Sequence, residues 1–195
     1  MERDPAGEKM KFHPGELKEL GIASLAIAFA VSIATSPSLA LLPYHFVLAL
    51  IVITPAFVFH EMGHKYMAER VGLNSRFLLW ETGLLISLIL SLFHMLFLLP
   101  GAVYIYGGYP SKEDNGKISL AGPLVNILLA IIFGIMAITL PSFAPLFWLA
   151  ARLNLHLAFF NLLPIPPLDG FKVIQWNFLI WSAVFFPVFA LDFLL

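Results

Sequence analysis

The sequence predicts an all-α polytopic membrane protein with about five transmembrane helices and a re-entrant segment that combines a helix with β structure. The 195 residues are 60% hydrophobic and 12% charged, and 19 are phenylalanine. Average soluble domains carry about 25% charged residues, roughly twice this share. Several apolar runs approach the ~20 residues that an α-helix needs to cross a bilayer. We therefore expect a single membrane-embedded domain over residues 1–195, with the lipid bilayer as its main partner.

The composition also excludes several classes of function. The net charge is −1, so nothing indicates the basic surface of a nucleic-acid-binding protein. The chain has no cysteine, which excludes disulfides, thiolate metal ligands and a cysteine nucleophile.

The first 19 residues are polar and of mixed charge. They lack the short apolar core and the small-residue cleavage site of a signal peptide. We interpret residues 1–19 as a cytoplasmic N-terminal tail.

Two apolar runs, residues 20–42 and 45–67, are expected to form the first two spans. The turn between them has no lysine or arginine, whereas Lys65, Arg70 and Arg76 crowd the end of the second run. Positive charge beside a span marks the cytoplasmic side of the cell membrane. The N-terminus and the end of the second span are therefore expected on that side.

The next apolar stretch, residues 77–106, is too short for two crossings, which need about 40 residues. The loop after it contains Lys112 and Lys117, as a cytoplasmic loop should. A segment that enters the membrane and returns satisfies both observations. We expect a helix over residues 83–99, then an extended strand or hairpin in "PGAVYIYGG", which is rich in β-formers. An edge of that strand could pair with an extended peptide, or the segment could be an ordinary packing element.

Three further spans are expected, over residues 118–140, 145–163 and 175–195. The turn after the first of these is uncharged, which places it outside. Three prolines within four residues follow the span over residues 145–163 and break its helix. Lys172 then marks the cytoplasmic side again.

Intramembrane asparagines interrupt the apolar pattern of these spans. Asn126 could hydrogen-bond a substrate or a neighbouring helix, and the second interpretation is the safer one. Asn154 and Asn161 are seven residues apart and therefore share a helix face.

The strongest chemical signal is the run His60-Glu61-Met62-Gly63-His64. On a helix the two histidines are one turn apart on one face, so both imidazoles can bind one Zn²⁺ ion. Glu61 lies beside them, where it could accept a proton from a catalytic water. Ionisable groups are costly inside an apolar span and are usually functional there. The run therefore predicts one zinc ion per chain, about two turns from the cytoplasmic face; the alternative is a satisfied polar cluster without metal.

A catalytic zinc commonly has three protein ligands plus water, so a third ligand is needed. Asp169 is favoured, because it lies in the proline-broken stretch near the same membrane face and an isolated membrane carboxylate calls for a cation. On spacing alone, capping of the helix that starts at Gly170 is an equal alternative for Asp169. The other candidate ligands are Glu81, His94, Glu113, Asp114 and His156.

Three segments together resemble the site-2 protease family of intramembrane metalloproteases. They are the HExxH run, "AGPLVN" at the opening of a later helix, and "NLLPIPPLDG". The resemblance covers most of residues 20–175. It implies a three-helix core that holds zinc and cleaves transmembrane protein substrates. Two departures are an apolar insert over residues 77–99 that is longer than in minimal members, and the lack of room for PDZ or CBS domains.

The resemblance also implies roles for single residues. His60, His64 and Asp169 would be the zinc ligands, and Glu61 would be catalytic. Asn161 matches the family asparagine that steadies the substrate or the oxyanion. The "PGAVYIYGG" stretch resembles the membrane-associated β segment of the family.

Two other functions remain as alternatives. A membrane transporter or channel could use the intramembrane histidines and carboxylates to bind an ion, since broken helices fit that class too; a visible inverted repeat would favour it, and the sequence shows none. An inactive protease relative could bind membrane proteins only, but such a protein would not need Glu61. We therefore predict a zinc metalloendopeptidase that hydrolyses peptide bonds within or near transmembrane segments.

Overall fold

A computed structural model, which describes residues 10–194, shows a mainly helical chain with two short strands. The elements in chain order are α1 (Glu16–Thr35), α2 (Leu42–Arg70), β1 (Asn74–Leu79), α3 (Glu81–Ser91), β2 (Gly101–Tyr106), α4 (Lys112–Thr139), α5 (Ala144–Asn161), α6 (Asp169–Trp176) and α7 (Phe178–Leu194). The first nine residues of the predicted cytoplasmic tail lie outside the described residues. Helix α1 begins at Glu16, inside the stretch predicted as tail.

Four helical segments between residues 10 and 194 are long and apolar enough to cross a membrane. They are Glu16–Thr35, Leu39–Arg70, Lys112–Thr139 and Pro141–Asn161. The protein is therefore a helical membrane protein with almost no sheet, as predicted.

The regions of the last predicted span and of the predicted re-entrant helix contain helices that are shorter than these four segments. Residues 175–195 contain the end of α6 and the whole of α7, which has 17 residues. Residues 83–99 contain most of α3, which has 11 residues. At a rise of ~1.5 Å per residue, α3 is too short to cross the hydrocarbon core.

Helix α4 begins six residues earlier than the apolar pattern predicts, because its polar first turn is capped. The Ser111 hydroxyl accepts a hydrogen bond from the Asp114 backbone N–H at 3.0 Å. Glu113 and Asp114 lie in that first turn, where carboxylates interact favourably with the helix dipole.

Strand β2 lies where β structure was predicted, whereas β1 was not predicted. The two strands form one sheet, and the Trp80 N–H after β1 donates to the Pro100 carbonyl before β2. Alternate N–H groups of a strand point to opposite edges. On the edge of β1 away from β2, Phe77 N–H donates to the Glu16 carboxylate and Leu79 N–H to the Glu19 carboxylate, both at 2.9 Å. The strand thus depends on carboxylates from a distant helix, which no local pattern reveals.

The described chain divides into two compact units. The first contains Met10, residues 59–75 and everything from residue 105 onward; the second contains residues 11–58 and 76–104.

The first unit has a hydrophobic core between α4, α5, α6 and α7. Its buried members are Leu120, Leu155, Ala158, Leu162, Val173, Trp181 and Val188. The Trp181 indole N–H also donates to the Leu162 carbonyl at 2.8 Å. That same carbonyl lies against Gly170, so closely that a Cβ at position 170 would collide with it. Leu162 therefore fixes the start of α6, which is where Asp169 lies.

Candidate metal centre

Two histidines of α2 and one aspartate of α6 meet inside the first unit. The Nε2 atoms of His60 and His64 are 3.0 Å apart. One carboxylate oxygen of Asp169, Oδ2, lies 3.3 Å from His60 Nε2 and 3.1 Å from His64 Nε2. All three residues are buried, with at most 9% of their surface exposed. Among residues 10–194, these three form the one group of histidine and carboxylate side chains arranged to hold a metal ion.

The hydrogen bonds of the two rings occupy their Nδ1 atoms, and the Nε2 atoms are the ones that face Asp169. His64 Nδ1 is 2.7 Å from the Ile118 carbonyl oxygen, which can only accept a hydrogen bond. His60 Nδ1 is 2.6 Å from Asn126 Oδ1, also an acceptor. Each Nδ1 therefore carries a hydrogen, and each Nε2 presents a lone pair when its ring is neutral, as a metal-binding histidine must be.

This arrangement fits a zinc ion. When both rings are neutral, their two lone pairs and the carboxylate oxygen, within 3.0–3.3 Å of one another, repel in a buried place unless a cation lies among them. Two imidazole nitrogens and one carboxylate oxygen form a donor set typical of catalytic zinc sites. The hydrogen-bonded Nδ1 atoms match the outer-shell partners that orient metal-binding histidines.

Asp169 does not act as the helix cap that its spacing also allowed. It is the first residue of α6, and the N-terminus of that helix has no side-chain cap hydrogen bond. Its second oxygen, Oδ1, lies 3.6 Å from the Lys172 ammonium, one turn later. Its carboxylate therefore faces the two histidines with one oxygen and Lys172 with the other.

Glu61 and Asn161, the two predicted catalytic residues, have different surroundings. Glu61 is buried on α2 beside His60, with 6% of its surface exposed. Asn161 is the last residue of α5, and its amide donates to the Leu157 carbonyl of the same helix at 3.0 Å.

The other candidate ligands have other places in the fold. Glu81 begins α3, and Glu113 and Asp114 lie in the first turn of α4. The remaining two are histidines: His94 Nδ1 is 2.8 Å from the Ala34 carbonyl, and His156 Nδ1 is 3.0 Å from Asp192.

Two asparagines that the sequence analysis did not connect with the metal site form a hydrogen-bonded chain behind His60. Asn126 Nδ2 donates to Asn154 Oδ1 at 3.0 Å, and Asn154 Nδ2 donates to the Ala150 carbonyl at 2.9 Å. Both asparagines are fully buried. Intramembrane amides need hydrogen-bond partners, and this requirement was the available signal. The sequence did not show that one of these partners is His60.

Comparisons with known proteins agree with this geometry. The family model described as "Peptidase family M50" matches residues 46–144 and 141–185. A protein of Methanocaldococcus jannaschii, provisionally named a zinc metalloprotease, is 43% identical over 91% of this chain and 93% of its own length. Zinc metalloprotease MJ0392 of the same organism is 32% identical over 60% of this chain, but over 30% of its own length. The Bacillus subtilis protein YwhC, provisionally named a zinc metalloprotease, is 29% identical over 70% of each chain. No solved structure gives a significant match.

The membrane-spanning helices, the buried His-His-Asp group and these relatives define a membrane zinc metalloprotease, with zinc as its cofactor. The chain belongs to peptidase family M50, the site-2 protease family. The resemblance inferred from the sequence motifs is thus confirmed, and the transporter alternative is set aside.

Proposed function

We propose that this protein is an intramembrane protease that hydrolyses peptide bonds within or near transmembrane segments of membrane-protein substrates, as in regulated intramembrane proteolysis. One observation carries the proposal. The two histidines of the HExxH run belong to α2, a helix long and apolar enough to span a membrane, and they are buried together with Asp169. Such a site favours substrates that are themselves in the membrane.

His60, His64 and Asp169 are the proposed ligands of one zinc ion per chain. When bound, zinc supplies Lewis acidity that polarises the scissile carbonyl and makes a water molecule more acidic. Glu61 takes the proton of the attacking water and then delivers it to the leaving amine nitrogen. Burial of Glu61 suits this role, because a carboxylate that exchanges protons works best when bulk water does not compete with it.

Asn161 is proposed to steady the substrate or the developing oxyanion. An amide group has two N–H donors, and the Leu157 carbonyl takes one of them. The second N–H can then donate to the substrate oxygen as negative charge develops.

The substrate must be extended before hydrolysis, since a helix hides its carbonyl groups in backbone hydrogen bonds. We propose that the extended part pairs with β2. The other edge of the sheet is occupied, because the N–H groups of Phe77 and Leu79 already bind Glu16 and Glu19. Strand addition to β2 would supply main-chain hydrogen bonds, and helix-breaking residues in the substrate would help it to extend.

The proposed placement is that of a single multi-pass domain, residues 1–195, in the cell membrane. In this proposal α7 is the fifth span, because its 17 residues extend about 25 Å at the helical rise of ~1.5 Å. Helix α3 and strand β2 form the re-entrant segment. The lysines and arginines that flank the spans support a cytoplasmic N-terminus and an active site nearer the cytoplasmic face.

The experiment compares wild type, Glu61→Gln and Glu113→Gln, purified in detergent and incubated with a panel of single-span reporters that carry helix breakers at different depths. Glu113 is a matched control, because it is an exposed carboxylate that pairs with Lys117 on the surface of α4. We expect wild type and Glu113→Gln to cut a reporter within its transmembrane segment, as mapped by mass spectrometry. Loss of the general base should slow Glu61→Gln by about 10²–10⁴-fold while it keeps its zinc.

Two results would contradict the proposal. Cleavage by Glu61→Gln at the wild-type rate would exclude Glu61 as the base. Cuts confined to the soluble parts of the reporters would exclude intramembrane hydrolysis.

A further inference from the structure

His60 is the first member of a chain of side-chain hydrogen bonds, here called the relay, that crosses three helices. It runs from His60 on α2 to Asn126 on α4, then to Asn154 on α5, and ends at the Ala150 carbonyl. The successive distances are 2.6, 3.0 and 2.9 Å. Neither asparagine exposes any measurable surface, so water does not replace these bonds.

The direction of every hydrogen bond in the relay follows from its last member. The Ala150 carbonyl can only accept, so Asn154 must turn its NH₂ group toward it and its oxygen toward Asn126. Asn126 must then turn its own NH₂ group to Asn154 and its oxygen to His60. An oxygen at that place requires a hydrogen on His60 Nδ1, and the neutral ring then has its lone pair on Nε2.

We infer that Asn126 and Asn154 are positioning residues that hold His60 in the tautomer needed for metal binding, with Asn154 acting only by fixing the orientation of the Asn126 amide. The inference rests on the proposed ligand role of His60. His64 has no such dependence, because its Nδ1 donates directly to the Ile118 main-chain carbonyl. The ring of His60 is therefore oriented by side chains, whereas the ring of His64 is oriented by the main chain. Only the partners of His60 can be removed by substitution.

The inference predicts a specific dependence between the two asparagines. Asn126→Leu removes the acceptor for His60, and loss of an outer-shell partner typically weakens metal affinity by about 10–100-fold. Asn154→Leu lets the Asn126 amide turn over, so it should weaken zinc binding in the same direction but by a smaller factor. Asn126→Asp keeps an acceptor in either orientation, since both carboxylate oxygens accept. Asn126→Asp should therefore bind zinc nearly as tightly as wild type.

The decisive comparison is the double variant Asn126→Asp/Asn154→Leu. A carboxylate has no amide to orient, so Asn154→Leu should cause no further loss of zinc affinity in the Asn126→Asp background. A purely structural role of Asn154 would instead weaken binding by the same factor in both backgrounds.

The test measures the zinc dissociation constant of each purified full-length variant by competition with a chromophoric chelator, together with its thermal unfolding. Ser87→Ala is the control for loss of a buried hydrogen bond, because Ser87 lies in the other unit, where its hydroxyl accepts from Leu99 N–H. It should lower thermal stability and leave zinc affinity unchanged.

The outcomes separate the relay from the proposed function. Tight zinc binding by wild type, weaker binding by Asn126→Leu and a loss from Asn154→Leu that disappears beside Asn126→Asp would support the relay. Unchanged affinity in Asn126→Leu, or equal losses from Asn154→Leu in both backgrounds, would overturn the relay and leave the protease proposal intact. Absence of zinc binding by wild type would overturn both.

Discussion

Gly122 of α4 lies directly against the imidazole of His64. A Cβ built at position 122 would stand 2.5 Å from His64 Nε2, well inside the contact distance of real atoms. It would also stand 2.7 Å from His60 Nε2. The absence of a side chain at this position is thus what lets α4 pack onto the proposed ligand face of α2.

Gly122→Ala should therefore displace both imidazoles and lower the zinc content well below one ion per chain, although alanine is a better helix former than glycine. Elemental analysis of the purified protein measures this effect. Gly134→Ala in the same helix is the control, since a Cβ there would meet nothing within 4 Å. Full zinc content in Gly122→Ala would show that the rings do not need this space.

Asp169→Ala should remove the third proposed ligand and clearly reduce the zinc content of the purified protein. Its Oδ2 atom lies 3.3 Å from His60 Nε2 and 3.1 Å from His64 Nε2. Asp192→Ala is a matched control, because Asp192 is another buried carboxylate that pairs with a histidine, His156, at 3.0 Å. Stoichiometric zinc in Asp169→Ala would show that Asp169 is not the third ligand.

Lys65→Met should destabilise the fold without removing bulk from the core. Lys65 is fully buried, and its ammonium donates to the Ser75 carbonyl at 2.7 Å, which ties the end of α2 to the start of β1. The same ammonium pairs with the Glu69 carboxylate at 3.2 Å. Loss of such a buried bond costs about 1–3 kcal/mol of unfolding free energy. Thermal unfolding in detergent, beside Lys117→Met, tests this expectation.

Lys117 provides the comparison because its ion pair with Glu113 lies on the surface, where such pairs contribute little. Lys117→Met should unfold at the wild-type temperature. Equal stability of Lys65→Met and wild type would mean that the contacts of Lys65 with Ser75 and Glu69 give the fold no net support.

Glu16→Ala should loosen β1 at a single amide. The Phe77 N–H loses its carboxylate acceptor, whereas Leu79 N–H keeps Glu19. Hydrogen exchange followed by mass spectrometry with fragmentation should show faster exchange at Phe77 and little change at Leu79. Glu19→Ala should give the reverse pattern, and equal acceleration at both amides in either variant would mean that the strand edge opens as a whole.

The sequence predicted those parts of the site that depend on local spacing. His60 and His64 share a helix face wherever that helix lies, because the period of an α-helix brings residues four apart together. Asp169 remained one of several candidates from the residues alone, because its approach depends on where Leu162 anchors α6. Asn126 and Asn154 were recognised as intramembrane amides, but the long-range contacts that join them to His60 have no local signature.

The sequence by itself determined that this is a helical membrane protein in which one helix carries the HExxH run, since hydrophobic length and helical period act over a few turns of one segment. Only the tertiary structure decided which carboxylate meets the histidines, how each ring is oriented, and that β1 is a strand held by Glu16 and Glu19. These features arise from hydrogen bonds between residues more than 50 positions apart. Such bonds exist only once the packing of the helices has placed both partners.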